Sequence, residues 1–249
     1  MKKYIMLLVF LLPGSMAFAT TIDLVGTIRD FSDAHPDMEY TIAAETGIVE
    51  ETLGADGKPV YASPTTTVTT TGKDSFDQWY NNVEGVNKAM EYVLTLDNTI
   101  TPDLNVYTFS SSSFFPIDGM LLGNEKRSHN YHFTYELHTD FTYHGGEFFN
   151  FTGDDDLWLF INDRLVVDLG GVHGATSKSV DLDTLELTLG ATYGFDLFFA
   201  ERHTTESNFR IDTSILVEPT SKPVPEPATM FLLGSGMLGL VASGRRFKK

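Results

Sequence analysis

Five consecutive apolar residues, Leu157-Trp158-Leu159-Phe160-Ile161, follow directly on three aspartates, Asp154, Asp155 and Asp156. A run this short and this uniformly apolar reads as a strand buried on both faces. It meets a second apolar run, Leu165-Val166-Val167, across Asn162-Asp163-Arg164, a short polar hairpin loop. Three adjacent carboxylates repel one another, so the turn into this strand needs a cation or strong hydrogen-bond donors to compensate them.

The rest of the chain is read from the same alternation. Tyr131, Phe133, Tyr135 and Leu137 alternate with His132, Thr134, Glu136 and His138, which predicts a strand with one apolar and one polar face. Leu185, Leu187 and Leu189 alternate, as do Tyr193, Phe195, Leu197 and Phe199, and then Phe209, Ile211, Thr213, Ile215 and Val217. Residues 27–31 read as a further strand. Long helical periodicities are missing. The exceptions expected are a short helix over residues 74–82, capped by Asp74 or Ser75, and terminal helices at the two ends. The Thr-rich, Pro-punctuated stretch 58–71 reads as loop or edge ribbon. Strands at close spacing broken by Gly, Asn and Asp predict an all-β, antiparallel β-sandwich of the lectin-like kind.

Both ends carry targeting patterns. Residues 1–19 have the layout of a cleavable secretory signal: Lys2 and Lys3, an apolar run, and Ala17-Phe18-Ala19 as cleavage site. At the other end Val224-Pro225-Glu226-Pro227 is followed by an apolar, glycine-rich segment and by Arg245, Arg246, Lys248 and Lys249. Pro225-Glu226-Pro227, apolar segment and basic tail, in that order, resemble the PEP-CTERM sorting signal of exopolysaccharide-producing Gram-negative bacteria. The resemblance implies transient inner-membrane insertion and cleavage by an exosortase-type enzyme. The expected organisation is thus a signal peptide over 1–19, a domain over 20–217, a Pro-rich linker over 218–227 and a sorting segment over 224–249. Cutting at both ends leaves 11 basic and 34 acidic residues, a net charge of −23. Such a body excludes binding to nucleic acid through phosphates and suits cation binding. Cysteine is absent, so no disulfide stabilises the exported domain.

Gly153-Asp154-Asp155-Asp156-Leu157-Trp158-Leu159-Phe160-Ile161-Asn162, then Asp168-Leu169-Gly170-Gly171-Val172-His173, and later Glu201-Arg202-His203 and Ser207-Asn208-Phe209 resemble a fibro-slime domain. Weaker elements agree, among them His35-Pro36-Asp37, Phe76-Asp77-Gln78-Trp79-Tyr80 and His129-Asn130-Tyr131-His132-Phe133. That family is a branch of the β-sandwich domains first described in anthrax protective antigen, which also occur in yeast adhesins and glycosidases. Asp163 stands where the family hairpin usually has Gly. In the adhesin branch an Asp pair joined by a cis peptide holds a calcium ion that contacts sugar hydroxyls, and the matching residues here are Asp154 and Asp155.

The residue types alone leave a cation site and a solvated acidic turn equally open. The resemblance favours calcium, held by Asp154, Asp155 and Asp156. Asp168, carbonyls near Gly170 and Gly171, and Asn208 are candidates for further oxygens, and His173 for a loop donor beside the turn. Glu201-Arg202 reads either as a contributor or as a structural ion pair. Trp158 is expected in the core, while Trp79 and Tyr80 are left open as sugar-stacking faces. No residue pattern of a hydrolase is recognisable. The leading expectation is a non-catalytic, calcium-assisted module for an extracellular polysaccharide or glycan. A structural matrix protein without sugar binding is the alternative, and a glycan hydrolase the third.

Overall fold

The computed structural model describes residues 20–217. The expected signal peptide, linker and sorting segment, with Pro225, Glu226, Pro227 and both terminal helices, lie outside the described residues. The strands are β1 (Thr21–Phe31), β2 (Ala43–Ala44), β3 (Asn87–Asp97), β4 (Tyr107–Ser111), β5 (Phe133–Thr142), β6 (Phe148–Gly153), β7 (Asp156–Ile161), β8 (Arg164–Leu169), β9 (Gly171–Val172), β10 (Thr176–Asp181), β11 (Thr192–Glu201) and β12 (Phe209–Thr213). Ten of them run in the order β10-β6-β12-β4-β3-β1-β5-β11-β7-β8, all antiparallel, and β2 pairs with β9.

The long sheet folds over where β3 meets β4 through a single pair, Asp97 and Thr108. This makes a sandwich with four strands in one layer and six in the other. Rings from the two layers meet across the middle: Phe149 with Phe195, Phe151 with Phe199, and Phe199 with Phe209 at 5.0 Å between centroids. Such pairs add roughly 0.5–1.5 kcal/mol each beyond the area they bury.

The six-stranded layer is covered on its other face as well. Alternate residues of β7 and β11, Trp158, Phe160, Phe198 and Ala200, pack against Ile48, Val49, Tyr61, Phe76, Trp79 and Tyr80. These come from the long excursion between β1 and β3. It contains one turn of helix, α1 (Lys73–Phe76), in place of the longer helix expected there, with Gly72 rather than Asp74 or Ser75 at its start. Every residue of β7 is therefore buried, as its uniform apolarity requires.

The expected strand through Leu185, Leu187 and Leu189 is absent. Asp181 accepts from the Asp183 N–H and starts a 3-10 turn over Leu182–Leu185, and Glu186 then takes a left-handed conformation at φ 57°. Leu185 and Leu187 still pack on the core, while Leu189 is exposed. A short turn can place two alternate leucines on one side as well as a strand can.

The β7–β8 hairpin closes with two residues, Asn162 at φ 53° and Asp163 at φ 60°, since Ile161 pairs with Arg164. Both signs are those of a type I′ turn, in which glycine is preferred at the second position. Asp163→Gly is expected to stabilise the fold by roughly 1 kcal/mol. It should raise the urea midpoint without changing the slope of the transition, and a lowered midpoint would contradict the strain assigned to this turn.

Candidate functional site

At one end of the sandwich β6 ends, β7 begins, β11 ends and β12 begins. The chain is stitched there by Asp154 N–H to Asn208 O (3.1 Å) and Asp155 N–H to His173 O (3.2 Å). Asp155 sits at φ 53°, so successive side chains of the turn leave in different directions. No cis peptide occurs among the described residues.

The three aspartates accordingly have three surroundings. Asp154 Oδ2 accepts from Asn208 N–H and Nδ2–H, both at 2.9 Å, while its Oδ1 is buried with no partner. Asp155 Oδ2 accepts from the backbone N–H groups of Arg202 (2.8 Å) and His203 (3.1 Å). Asp156 Oδ2 accepts from Arg202 Nε and its Oδ1 from Gly171 N–H, each at 2.6 Å. Arg202 is fully buried, donates to Thr69 O at 2.6 Å, and lies 4.6 Å over the Trp79 ring. Trp79 in turn donates to Asp37 at 2.9 Å. Asp156 thus belongs to a closed ion-pair network, and both of its oxygens are already used. Trp79 is buried beneath that network and offers no face to a sugar. Tyr80 is buried too.

Neighbouring residues of β11 point to opposite faces, so Glu201 turns away from Arg202 and toward Asp154 and Asp155. The Glu201-Arg202 pair is therefore replaced by Asp156-Arg202. Glu201 has no exposed surface, and neither carboxyl oxygen has a hydrogen-bond partner. Burial, with Asp155 and then Asp154 adding to it, pushes its carboxyl well above the usual range. Burial likewise raises Asp155 to about 6 against the pull of Arg202, and raises Asp154 against its bonds to Asn208. These acids are held close together in a place that disfavours their charge.

The other expected contributors divide. Asn208 holds Asp154, as above. His173 lies beside the turn, with Nδ1 at 3.0 Å from Gly174 O and a buried Nε2 that lacks a partner. Asp168 lies elsewhere: Oδ1 accepts from Trp158 Nε1 (3.0 Å) and Oδ2 from Gly47 N–H (2.7 Å). Gly170 and Gly171 serve close packing. A Cβ on Gly170 would stand 2.4 Å from Glu45 O and one on Gly171 2.3 Å from Ala43 O, and Gly171 is at φ 96°. Only glycine lets β9 approach β2 while giving its N–H to Asp156.

Over the turn opens a cleft of about 160 Å³, lined by Ile42, Asp154, Asp155, His173, His203 and Thr204 among others. Among the described residues no three His, Cys, Asp or Glu side chains are arranged to hold a metal ion by themselves. The unpartnered oxygen of Asp154 and the raised carboxyl of Asp155 fit a cation that takes its remaining oxygens from solvent or a ligand. Asp156 and Asp168 do not fit such a role.

A PA14 domain model matches residues 116–223, and a PEP-CTERM protein-sorting motif matches residues 223–246. The sorting motif indicates export to a surface or extracellular location in bacteria. Two proteins of Dictyostelium discoideum are homologues: psiC, 40% identical over 86% of this chain and 45% of its own length, and psiD, 41% identical over 86% of this chain and 47% of its own. The chain spans about half the length of these curated relatives. A solved PA14 sugar-binding domain from an RTX adhesin aligns over 78% of this chain and 94% of its own, at 11% identity and a TM-score of 0.34, too distant to carry residue correspondences.

Removing the Asp156 charge leaves the Arg202 guanidinium buried and uncompensated. Asp156→Asn is expected to cost about 3–5 kcal/mol. Asp168→Asn, which keeps an acceptor for Trp158, is expected to cost no more than about 1.5 kcal/mol. Equal losses for the two variants in urea unfolding would contradict this division between them.

Proposed function

We propose that this chain is an exported, non-catalytic module that binds an extracellular polysaccharide or glycan through the acidic cleft, with a calcium ion held by Asp154 and Asp155. The observation that carries the reading is a buried carboxylate oxygen, Asp154 Oδ1, left without a partner on a residue that lines the cleft. A buried acceptor left unmade costs about 1–3 kcal/mol, more when charged, and a hard cation that prefers oxygen removes that cost. Two protein carboxylates supply too few of the six to eight oxygens calcium takes. The shortfall suits a ligand that brings adjacent hydroxyls. When bound, the ion supplies a charge for those hydroxyls to coordinate. Asn208 fixes Asp154, and the Arg202 and His203 N–H groups fix Asp155. The solved PA14 domain of an RTX adhesin is described as sugar-binding, which agrees with this reading without extending to residues.

The pH dependence follows from Asp155. Its folded-state value stands above the ordinary 3.8, at about 6. The stability it contributes is present below about 3.8 and lost as pH rises through about 6. Calcium should restore it over that same interval. The melting temperature in calcium minus that in EDTA is expected to be near zero at about pH 4.5 and positive at about pH 7. The gain corresponds to about 2.7 kcal/mol at a calcium concentration one hundred times Kd. Asp154→Asn combined with Asp155→Asn should erase the difference. A glycan array in calcium and in EDTA tests the ligand. No calcium shift at either pH would remove the cation, and no bound glycan would remove the sugar for those tested.

A further inference from the structure

A second cavity, of about 440 Å³, opens at the other end of β7 and β11, where Ile161 ends one strand and Tyr193 is second in the other. It is more than twice the size of the acidic cleft, at about 160 Å³, and shares no lining residue with it. Its volume falls in the range of small-molecule sites, roughly 300–1,000 Å³.

Both walls are fixed by hydrogen bonds. One is the β7–β8 hairpin, where Asn162 N–H donates to Gly194 O at 3.1 Å and Leu165 N–H to Glu51 O at 2.9 Å. The other is residues 184–187. It is held before its start by Leu182 N–H to Glu147 O, and after its end by Thr188 N–H to the Tyr193 hydroxyl, each at 2.9 Å. A site built in advance loses little freedom when a ligand enters. Val166, Leu187 and Tyr193 supply apolar lining, and Asn162, Arg164 and Glu186 polar groups.

Arg164 decides the chemistry of the ligand. Five arginines lie among the described residues, and four hold a carboxylate: Arg29 with Glu136, Arg127 with Asp33, Arg202 with Asp156 and Arg210 with Asp212. The Arg164 guanidinium has no hydrogen bond or ion pair among the described residues, although acids outnumber bases 34 to 17 in the chain. Glu186 lines the same cavity and does not pair with it. A guanidinium is a planar fork of donors that matches a carboxylate through two parallel bonds. Tyr193 and Leu187 suit the C–H face of a sugar ring. Asn162 and Glu186 bring acceptors for ring hydroxyls.

We propose that this cavity is a second carbohydrate site, one for a uronic acid residue of an acidic polysaccharide, with Arg164 binding the carboxylate. The site needs no ion in the cleft. The acid excess of the chain repels such a polymer at long range, and about 0.15 M salt screens that repulsion beyond about 8 Å. From Tyr193 to Glu201 is eight residues of β11, which puts roughly 26 Å between the two sites. Where the cleft also binds glycan, one molecule joins two polymer chains.

The test is calorimetry of the full chain with digalacturonate, in EDTA and about 0.15 M salt, with the neutral digalactoside as control. The acid should bind at least about tenfold more tightly than the neutral sugar. Arg164→Gln should weaken the acid by at least about tenfold. Glu186→Gln, which keeps a hydroxyl acceptor and removes a like charge, should tighten it. Asp154→Asn with Asp155→Asn should leave it unchanged. In the wild-type protein the acid should shift the NMR signals of the Arg164 Nε–H and the Leu187 methyl groups. That reading needs no variant, and Arg164 is exposed, so its replacement leaves the fold intact. No heat with digalacturonate, or undiminished binding by Arg164→Gln, would overturn the site. A loss in the double aspartate variant would move the sugar to the acidic cleft and overturn it too. Octanoate binding as tightly as digalacturonate would reduce the site to one for any carboxylate and overturn the sugar. Calcium and EDTA melting tests the cleft by itself, so each reading can fail while the other stands.

Discussion

The buried contact between Asp156 and Arg202 is what the acidic end of this protein is arranged around. Two unit charges without exposed surface cost several kcal/mol each to desolvate, and a pair in that position is tolerated only with good geometry and every remaining donor satisfied. Here Arg202 spends its other donors on Thr69 and rests on Trp79. Asp156 spends its second oxygen on Gly171. One ion pair thereby ties the start of β7 and the end of β11 to the covering excursion and to the β9 strand. It also sets Asp155 and Asp156 apart, one facing the cleft and the other the interior, although they are adjacent in the chain.

A second, partly buried network fastens the covering layer to the outer face of β5. Glu136 meets Arg29 at 2.5 Å, Lys58 at 3.3 Å and His138 at 2.9 Å, and His138 meets Asp196 at 2.7 Å. Burial works against the charge of Glu136, yet His138, Arg29 and Lys58 hold it down to about 2. Burial also works against His138, and Asp196 and Glu136 bring it up to about 9. Glu136 supports the fold above the ordinary carboxylate range and fails as pH falls through about 2. His138 supports it fully below about 6.5 and fails as pH rises through about 9. The two networks differ in kind. The one at β5 compensates its charges, whereas at the cleft burial outweighs the donors to Asp154 and Asp155, and Glu201 has no hydrogen-bond partner.

The acids that appear as one string in the chain therefore do three different things, and β-sheet geometry explains why. Successive strand residues face opposite sides, so Glu201 and Arg202 cannot pair with each other, and a left-handed residue at Asp155 turns the aspartates apart. Asp168, grouped with them by chemistry, falls on β8 and fastens Trp158 and Gly47. Glu39 entered no expected site, because its link to the cleft runs through Thr204, far away in the chain.

The chain by itself determined the all-β class, the hairpin after Ile161, the double burial of β7, and the acidic turn as the place of interest. Each of these depends on local period or local charge, which neighbours in sequence are enough to specify. Tertiary structure alone decided that Asp156 pairs with Arg202, that Trp79 lies under that pair, that Asp168 stands apart, and that Asp154 keeps an unpartnered oxygen beside a buried Glu201. Those outcomes depend on which distant segment fills each remaining hydrogen bond and on how far water is excluded, and pairing register across the sheets is what sets both.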